Sequence, residues 1–167
     1  VLRAGFHGTV GQPSAQVIDG SLKFDSSATN YLKKIPSVAG NRRTFTISFW
    51  VKRSGGSANE PGILSTYAGV SGPAFTCYFN SSDKLRIYND ESGYNLDLVT
   101  TQLFRDYNNW YHIVISIDTT ASDKAKLYVN GLRVTDFDIE LYPGDINLDW
   151  NTATAHNIGR HVNAYDG

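Results

Sequence analysis

Two segments of the chain alternate apolar and polar residues with the two-residue period of a β-strand. In segments 44–53 and 110–118 every second residue is apolar, and the two apolar sets are Phe45, Ile47, Phe49 and Val51, and Tyr111, Ile113, Ile115 and Ile117. Because successive side chains of a strand point to opposite faces, each segment predicts a strand with one face in the core. Such strands are typical of sandwiches and barrels.

A tight turn is predicted at Asn130-Gly131, which separates two short apolar segments. Asn-Gly tolerates the positive φ that both central residues of a type I′ hairpin turn require. Further short strands are predicted between turn-forming residues, at 21–24, 31–35, 63–67, 75–79, 85–88, 96–100, 126–129, 133–135 and 156–158. Many short strands with frequent turns predict an all-β sandwich or barrel.

The 167 residues suit a single sandwich domain, predicted at 20–167, with residues 1–19 as an N-terminal arm. The formal net charge is −1, and pairs such as Arg42-Arg43 are interpreted as solvated turn residues. We therefore expect no nucleic-acid partner. We also expect no membrane insertion, because no apolar run approaches the ~20 residues needed to cross a bilayer.

The residues with reactive side chains do not form a recognisable catalytic motif. Cys77 lies in an apolar run, which predicts a buried and inert thiol. The four histidines, His7, His112, His156 and His161, lack metal-binding spacing. We therefore predict that the chain is not an enzyme.

The acidic run at 136–140 is the main alternative to that prediction. Alternation places Asp136, Asp138 and Glu140 on one face of an extended segment, and two neighbouring carboxyls can hydrolyse a glycosidic bond. The spacing resembles the acidic signature of laminarinases and lichenases, although Asp136 replaces the first Glu. A solvent-facing strand, with Phe137, Ile139 and Leu141 pointing inward, has the same pattern and is the preferred interpretation.

A calcium loop is partly matched at 145–156. Asp145, Asn147 and Asp149 fit the first three ligand positions of an EF-hand. The match then fails, because Trp150 stands where Gly is required and His156 stands where Glu is required. We predict no cofactor, with a looser Ca²⁺ site as an alternative.

Ligand binding is predicted for aromatic and amide residues beside polar turns. Aromatic rings stack on sugars, and Asn and Asp hydrogen-bond to hydroxyl groups. The candidates are Tyr88, Asn89, Asp90, Tyr94, Asn95 and Trp150. For Trp150 a lid over one end of the core is the preferred alternative.

Three segments, 21–53, 108–134 and 157–160, resemble a laminin G-like domain of the concanavalin A-like lectin and glucanase superfamily. The resemblance rests on recurring strand motifs at 49–51, 110–112, 128–131 and 158–160, with Asp118. It implies a jelly-roll sandwich of two antiparallel sheets. Segments 41–53 and 100–120 more narrowly resemble domains of tail-fibre and other structural proteins of marine bacteriophages.

The narrower resemblance implies a non-catalytic structural and recognition module on a virion surface, and hence an extracellular location. The implied partners are other virion chains or copies of itself, with host glycans or a receptor as ligands. A glycoside hydrolase and a calcium-dependent lectin of the same fold are the alternatives.

The end of the sequence departs from this family. After Ile158-Gly159-Arg160 such domains continue into a final strand, whereas this sequence stops at Gly167. We therefore expect an unpaired edge beside segment 21–24, which proteins rarely leave uncovered. Either a longer chain or a neighbouring subunit would supply the missing strand.

Overall fold

The computed structural model describes residues 20–24, 30–55, 62–67 and 74–160. These residues form eleven strands and no helix. The strands are β1 (Leu32–Lys34), β2 (Thr44–Val51), β3 (Gly62–Tyr67), β4 (Ala74–Phe79), β5 (Lys84–Asp90), β6 (Tyr94–Leu103), β7 (Tyr111–Asp118), β8 (Ala125–Val129), β9 (Leu132–Arg133), β10 (Phe137–Leu141) and β11 (Ala155–Ile158). In this part of the chain there is accordingly no helix long and apolar enough to span a bilayer.

Two antiparallel sheets face each other across one core. The larger sheet has the order β1-β11-β3-β4-β5-β6-β10, and the smaller one has the order β2-β7-β8-β9. Apolar side chains of both sheets are buried between them; Phe45 of β2, for example, meets Phe75 of β4 edge-on with ring centroids 6.0 Å apart. The all-β jelly-roll sandwich that the sequence predicts is therefore confirmed.

The smaller sheet follows the predicted alternation closely. β2 and β7 pair over eight residues without a register shift, and Ile113, Ile115 and Ile117 are buried in the core. The turn after β8 has φ of 51° at Asn130 and 81° at Gly131, as the predicted type I′ turn requires. The local sequence thus specifies the hairpin that β8 and β9 form around this turn.

The first strand of the described chain lies later than predicted. Residues 21–24 are not a strand; Phe24 instead lies against Gly159, where the absence of a Cβ leaves room for its ring. β1 pairs with β11 and is itself an edge strand of the larger sheet. The strand predicted at 21–24 is therefore wrong, and the missing final strand predicted after Arg160 lies outside the described residues. The described edge strands are β1, β10, β2 and β9, and β2 is an eight-residue edge without a charged residue. The N-terminal arm predicted at 1–19 lies outside the described residues.

The acidic strand β10 does not keep the predicted alternation. Its register against β6 shifts between Phe137 and Ile139, and only Phe137 packs against the core. Ile139 is 45% exposed and Leu141 is 41% exposed, so the prediction that they point inward is wrong. The causes are the β-bulge and the position of β10 at the sheet edge. The bulge also interrupts the alternation that would put the three carboxylates on one face.

The single cysteine is placed as predicted. Cys77 lies in the middle of β4 and is fully buried between the sheets. Burial raises the pKa of its thiol well above the ordinary value, because the thiolate would lose its hydration. The thiol is therefore inert in the folded chain.

Candidate functional site

Three segments meet at one end of the sandwich and enclose two adjoining depressions. The segments are 39–43 before β2, the β5–β6 turn, and the loop between β10 and β11. The depressions measure about 330 and 310 Å³ and share Arg42 and Glu91. We call them together the rim groove. The first is also lined by Arg43, Asp145, Ile146 and Asn147, and the second by Ala39, Asp149, Thr152, Ala153 and Thr154.

A buried polar network braces the floor of the rim groove. The Asp149 backbone N–H donates to Asn89 Oδ1 at 2.7 Å, and Asn89 Nδ2 donates to Asp149 Oδ2 at 2.8 Å. Asn89 Nδ2 also donates to Asn95 Oδ1 at 3.0 Å. Asn89 is fully buried and Asp149 is nearly so. Because every one of these contacts joins residues of different loops or strands, the network fixes their relative positions.

Arg42 completes this network from the segment before β2. Its Nη2 donates to Asp149 Oδ1 at 2.9 Å, and its Nε donates to the Leu148 carbonyl at 2.6 Å. Burial nevertheless leaves the pKa of Asp149 raised, although Asn89 and Arg42 favour the carboxylate. The guanidinium therefore offsets part of the cost of burying this charge.

The second wall of the groove is attached through Asn151. The Asn151 carbonyl accepts from the Gly40 N–H at 2.8 Å, and Asn151 Nδ2 donates to the Asn41 carbonyl at 2.7 Å. Asn151 itself has φ of 61°, a left-handed conformation that Asn tolerates. The loop therefore reverses at Asn151 and presents Thr152 and Thr154 to the groove.

Three of the six candidate ligand residues lie in the buried network or next to it. Asn89 and Asn95 belong to the buried network. Trp150 is half-buried below it, with its ring 5.6 Å from that of Phe75 and 4.8 Å from that of His156. Trp150 thus covers the end of the core, as the lid alternative predicts, and does not line the groove.

The other three candidates lie on β5 and β6 and do not line the rim groove. Asp90 accepts the Gly93 N–H at 2.8 Å and so shapes the β5–β6 turn. The Tyr88 and Tyr94 rings meet edge-on, and Arg86 lies 5.2 and 4.8 Å from their centroids. Tyr88 is buried, whereas Tyr94 is 49% exposed. Tyr94 is therefore the accessible ring of this cluster.

Sequence reasoning missed Arg42 and Glu91, which line both depressions, and considered Asp145, Asn147 and Asp149 only as calcium ligands. The interpretation of Arg42 as a solvated turn residue is wrong, because it pairs with the buried Asp149. No local signal identifies Arg42 or Glu91, since their surroundings come from segments distant in sequence. Trp50 was also missed; it is 54% exposed and stacks on His112 at 4.8 Å. A large aromatic residue on the polar side of β2 is the signal that could have identified it.

Asp138, Glu140 and Asp145, which belong to the two alternatives, each have a separate partner. Asp138 pairs with Lys84, and Glu140 accepts from the Tyr142 hydroxyl at 2.8 Å. Asp145 pairs with Arg43. Within residues 20–24, 30–55, 62–67 and 74–160, no group of three or more His, Cys, Asp or Glu side chains is arranged to hold a metal ion.

Comparisons with known proteins agree with the fold. A laminin G family model described as "Concanavalin A-like lectin/glucanases superfamily" matches residues 25–167. Mouse laminin α1 chain domains LG4-5 superpose with a TM-score of 0.60 at 13% identity, covering 90% of this chain and 39% of that one. A heptameric SAP-like pentraxin from Limulus polyphemus superposes with a TM-score of 0.52 at 16% identity, covering 82% and 60%. No curated protein sequence matches the chain.

Proposed function

Because this chain belongs to the concanavalin A-like lectin and glucanase superfamily, we propose that it is a non-catalytic module that binds glycans in the rim groove. The observation that carries the proposal is a solvent-accessible polar groove whose floor is a fully connected buried network. Its walls offer hydroxyl, amide, carboxylate and guanidinium groups. These are the groups that hydrogen-bond to sugar hydroxyls.

The dimensions of the groove suit a small part of a glycan. Depressions of about 330 and 310 Å³ lie at the lower end of the range for small-molecule sites, about 300–1,000 Å³. Among the residues that the structure describes, no aromatic side chain lines them, so we expect no contribution of stacking to the affinity. We therefore expect a single rim groove to bind its glycan weakly. Several linked copies of the chain would bind a multivalent glycan more strongly.

Glu91 is the sharpest test of glycan binding. Its side chain is exposed and lines both depressions, and among the described residues it makes no hydrogen bond or ion pair. The wild-type chain is screened on a glycan array, and the strongest ligand is then titrated by calorimetry. Glu91→Ala should weaken binding about tenfold, the effect of losing a hydrogen bond to a charged group.

Glu140→Ala is the control, since it also removes an exposed carboxylate, one that accepts from Tyr142 on a strand that does not line the groove. Its affinity should equal that of the wild type. Equal affinities for Glu91→Ala and the wild type would contradict the placement of the site. Release of new reducing ends from the bound glycan would contradict the non-catalytic part of the proposal.

The setting that we propose is a virion surface, where the partners are other virion chains or copies of this one. The resemblance of segments 41–53 and 100–120 to phage tail-fibre domains supports this setting. The uncharged edge strand β2 supports addition of a strand from a neighbour. Mass spectrometry of purified virus particles tests the setting; a chain found only in cell fractions would contradict it.

Sedimentation equilibrium tests self-association through β2. A species heavier than the 18.4 kDa chain that dissociates in the double variant Thr46→Lys/Ser48→Lys would support pairing at this edge. Both side chains are exposed on β2, so the two added charges would oppose each other across a strand pair. A wild-type chain that stays monomeric at all concentrations would contradict self-association.

A further inference from the structure

His156 lies in β11 and contacts the 151–154 loop, which forms the second wall of the rim groove. Its Nε2 lies 3.1 Å from the Asn151 backbone N, and its Nδ1 lies 3.0 Å from the Thr154 carbonyl oxygen. A backbone N–H only donates and a carbonyl only accepts. The two contacts therefore require a neutral imidazole with its proton on Nδ1.

The bond from Asn151 to His156 is one of three hydrogen bonds by which Asn151 holds this loop. The other two join Asn151 to Gly40 and Asn41, which precede Arg42 in the opposite wall. Residues 152–154, between Asn151 and His156, line the second depression. The orientation of Asn151 consequently sets the distance between the two walls.

We propose that His156 is a pH-dependent latch that keeps the 151–154 loop against the opposite wall of the rim groove. A proton on Nε2 converts the acceptor of the Asn151 N–H into a second donor. The two N–H groups then face each other and the bond is lost. The Nδ1–H bond to Thr154 and the Asn151 bonds to Gly40 and Asn41 do not depend on this proton. Only the Asn151 end of the loop therefore loses its bond to β11, and the second depression loses one of the bonds that fix its wall.

The surroundings of the ring favour its neutral form. Trp150 packs against it, and Thr66 of β3 and Lys34 of β1 are its partners in the sheet. Of these groups only Lys34 is charged, and it is a cation. Burial lowers the pKa of His156. The latch is therefore closed near neutral pH and opens in acid.

One other buried acid adjoins the loop. Asp149 is held by Arg42 and Asn89, and burial raises its pKa. It therefore also takes up a proton in acid. In the sequence, Asp149 and Asn151 are the two neighbours of Trp150. A variant of His156 is needed to separate the two titrations.

Hydrogen exchange of the ¹⁵N-labelled chain, measured by NMR at pH 7.5 and pH 5.0 without ligand, tests the latch. We expect the protection factor of the Asn151 amide to fall roughly tenfold in acid, the scale of one lost hydrogen bond. In His156→Gln the side-chain carbonyl can still accept this N–H and does not titrate, so the protection should stay constant. His112→Gln, on the other sheet, should behave as the wild type.

An Asn151 protection factor that is the same at both pH values in the wild type would overturn the latch. An equal fall in His156→Gln would also overturn it and would point to Asp149. If His156→Gln lacks protection at pH 7.5, the wild-type titration decides: the His156 ring and Asn151 amide shifts must share one midpoint, and different midpoints refute the latch.

The link to glycan binding rests on the proposed function and is tested separately. For the strongest array ligand, we expect wild-type affinity to fall between pH 7.5 and pH 5.0 and the affinity of His156→Gln to change less. If Asn151 opens in acid but no array glycan binds at any pH, the latch stands and the proposed function fails. Equal wild-type affinity at both pH values would refute control of the groove by this loop.

Discussion

The β7–β8 hairpin and the rim groove differ in how far apart their contacting residues lie in the sequence. In the hairpin, residues 113–117 of β7 pair with residues 125–129 of β8, and only the short segment 119–124 separates the two strands. In the groove, Asn89 bonds to Asp149 across 60 positions, and Arg42 bonds to Asp149 across 107. The hairpin is stabilised by apolar burial, whereas the groove is stabilised by polar groups that satisfy each other. We thus assign stability of the fold to the hairpin and recognition of the ligand to the groove. Variants in each region can test whether the two properties are separate.

The largest effect is expected from Ile115→Ala in β7. Ile115 is buried between Ile47 and Leu127 in the smaller sheet. Its truncation should lower the free energy of unfolding by about 3–4 kcal/mol, through lost burial and a cavity. Urea denaturation measures this change, and Val114→Ala, on the outer face, should lose less than half as much. Glycan affinity of the folded fraction should not change; a parallel loss of affinity would break the separation.

The next effect is expected from Asn89→Ala, which removes three hydrogen bonds from the groove floor. Asp149 stays buried with Arg42 as its remaining side-chain partner, so the free energy of unfolding should fall by about 2 kcal/mol. Glycan affinity should fall as well, in contrast to Ile115→Ala. Asn95→Ala removes one bond of the same network, and a loss as large as that of Asn89→Ala would contradict the central position of Asn89.

A smaller effect is expected from Gly131→Ala in the turn between β8 and β9. A Cβ at this position meets no atom within 4 Å, so the cost comes only from its φ of 81°. We expect a loss of about 1 kcal/mol, with no effect on the groove. Gly55→Ala, also in open space but without positive φ, should be close to neutral. Equal denaturation midpoints for the two variants would argue against strain at the turn.

The smallest effect is expected from pH. Because the pKa of His156 is lowered in the folded chain, its contribution to stability is complete above the ordinary pKa of about 6.5 and is lost as the pH falls. The raised pKa of Asp149 acts in the opposite direction, since its cost disappears on protonation. Denaturation at pH 7.5 and pH 5.5 should therefore show a larger acid loss for the wild type than for His156→Gln. A larger loss for the variant would reverse the assigned sign.

Local patterns predicted the strands because alternation records which face of each strand is buried. The segments at 44–53 and 110–118 and the Asn130-Gly131 turn are specified by their own residues. The bulge in β10 depends on pairing with β6, and the bonds of Arg42 depend on a loop more than 100 positions away. Neither feature leaves a periodic signal in the sequence. The predictions that Ile139 and Leu141 point inward and that Arg42 is solvated therefore both failed. Asn89 was predicted as a sugar-binding residue from its place beside a polar turn, whereas the structure buries it in the groove floor, where it bonds to Asp149 and Asn95.

The most direct test of the account is a map of amide chemical-shift changes when the strongest array glycan is added to the ¹⁵N-labelled chain. The account predicts that the largest shifts cluster at Arg42, Glu91 and residues 145–154. Shifts centred on Trp50 and His112, or on Tyr94, would place recognition outside the rim groove and contradict the central claim.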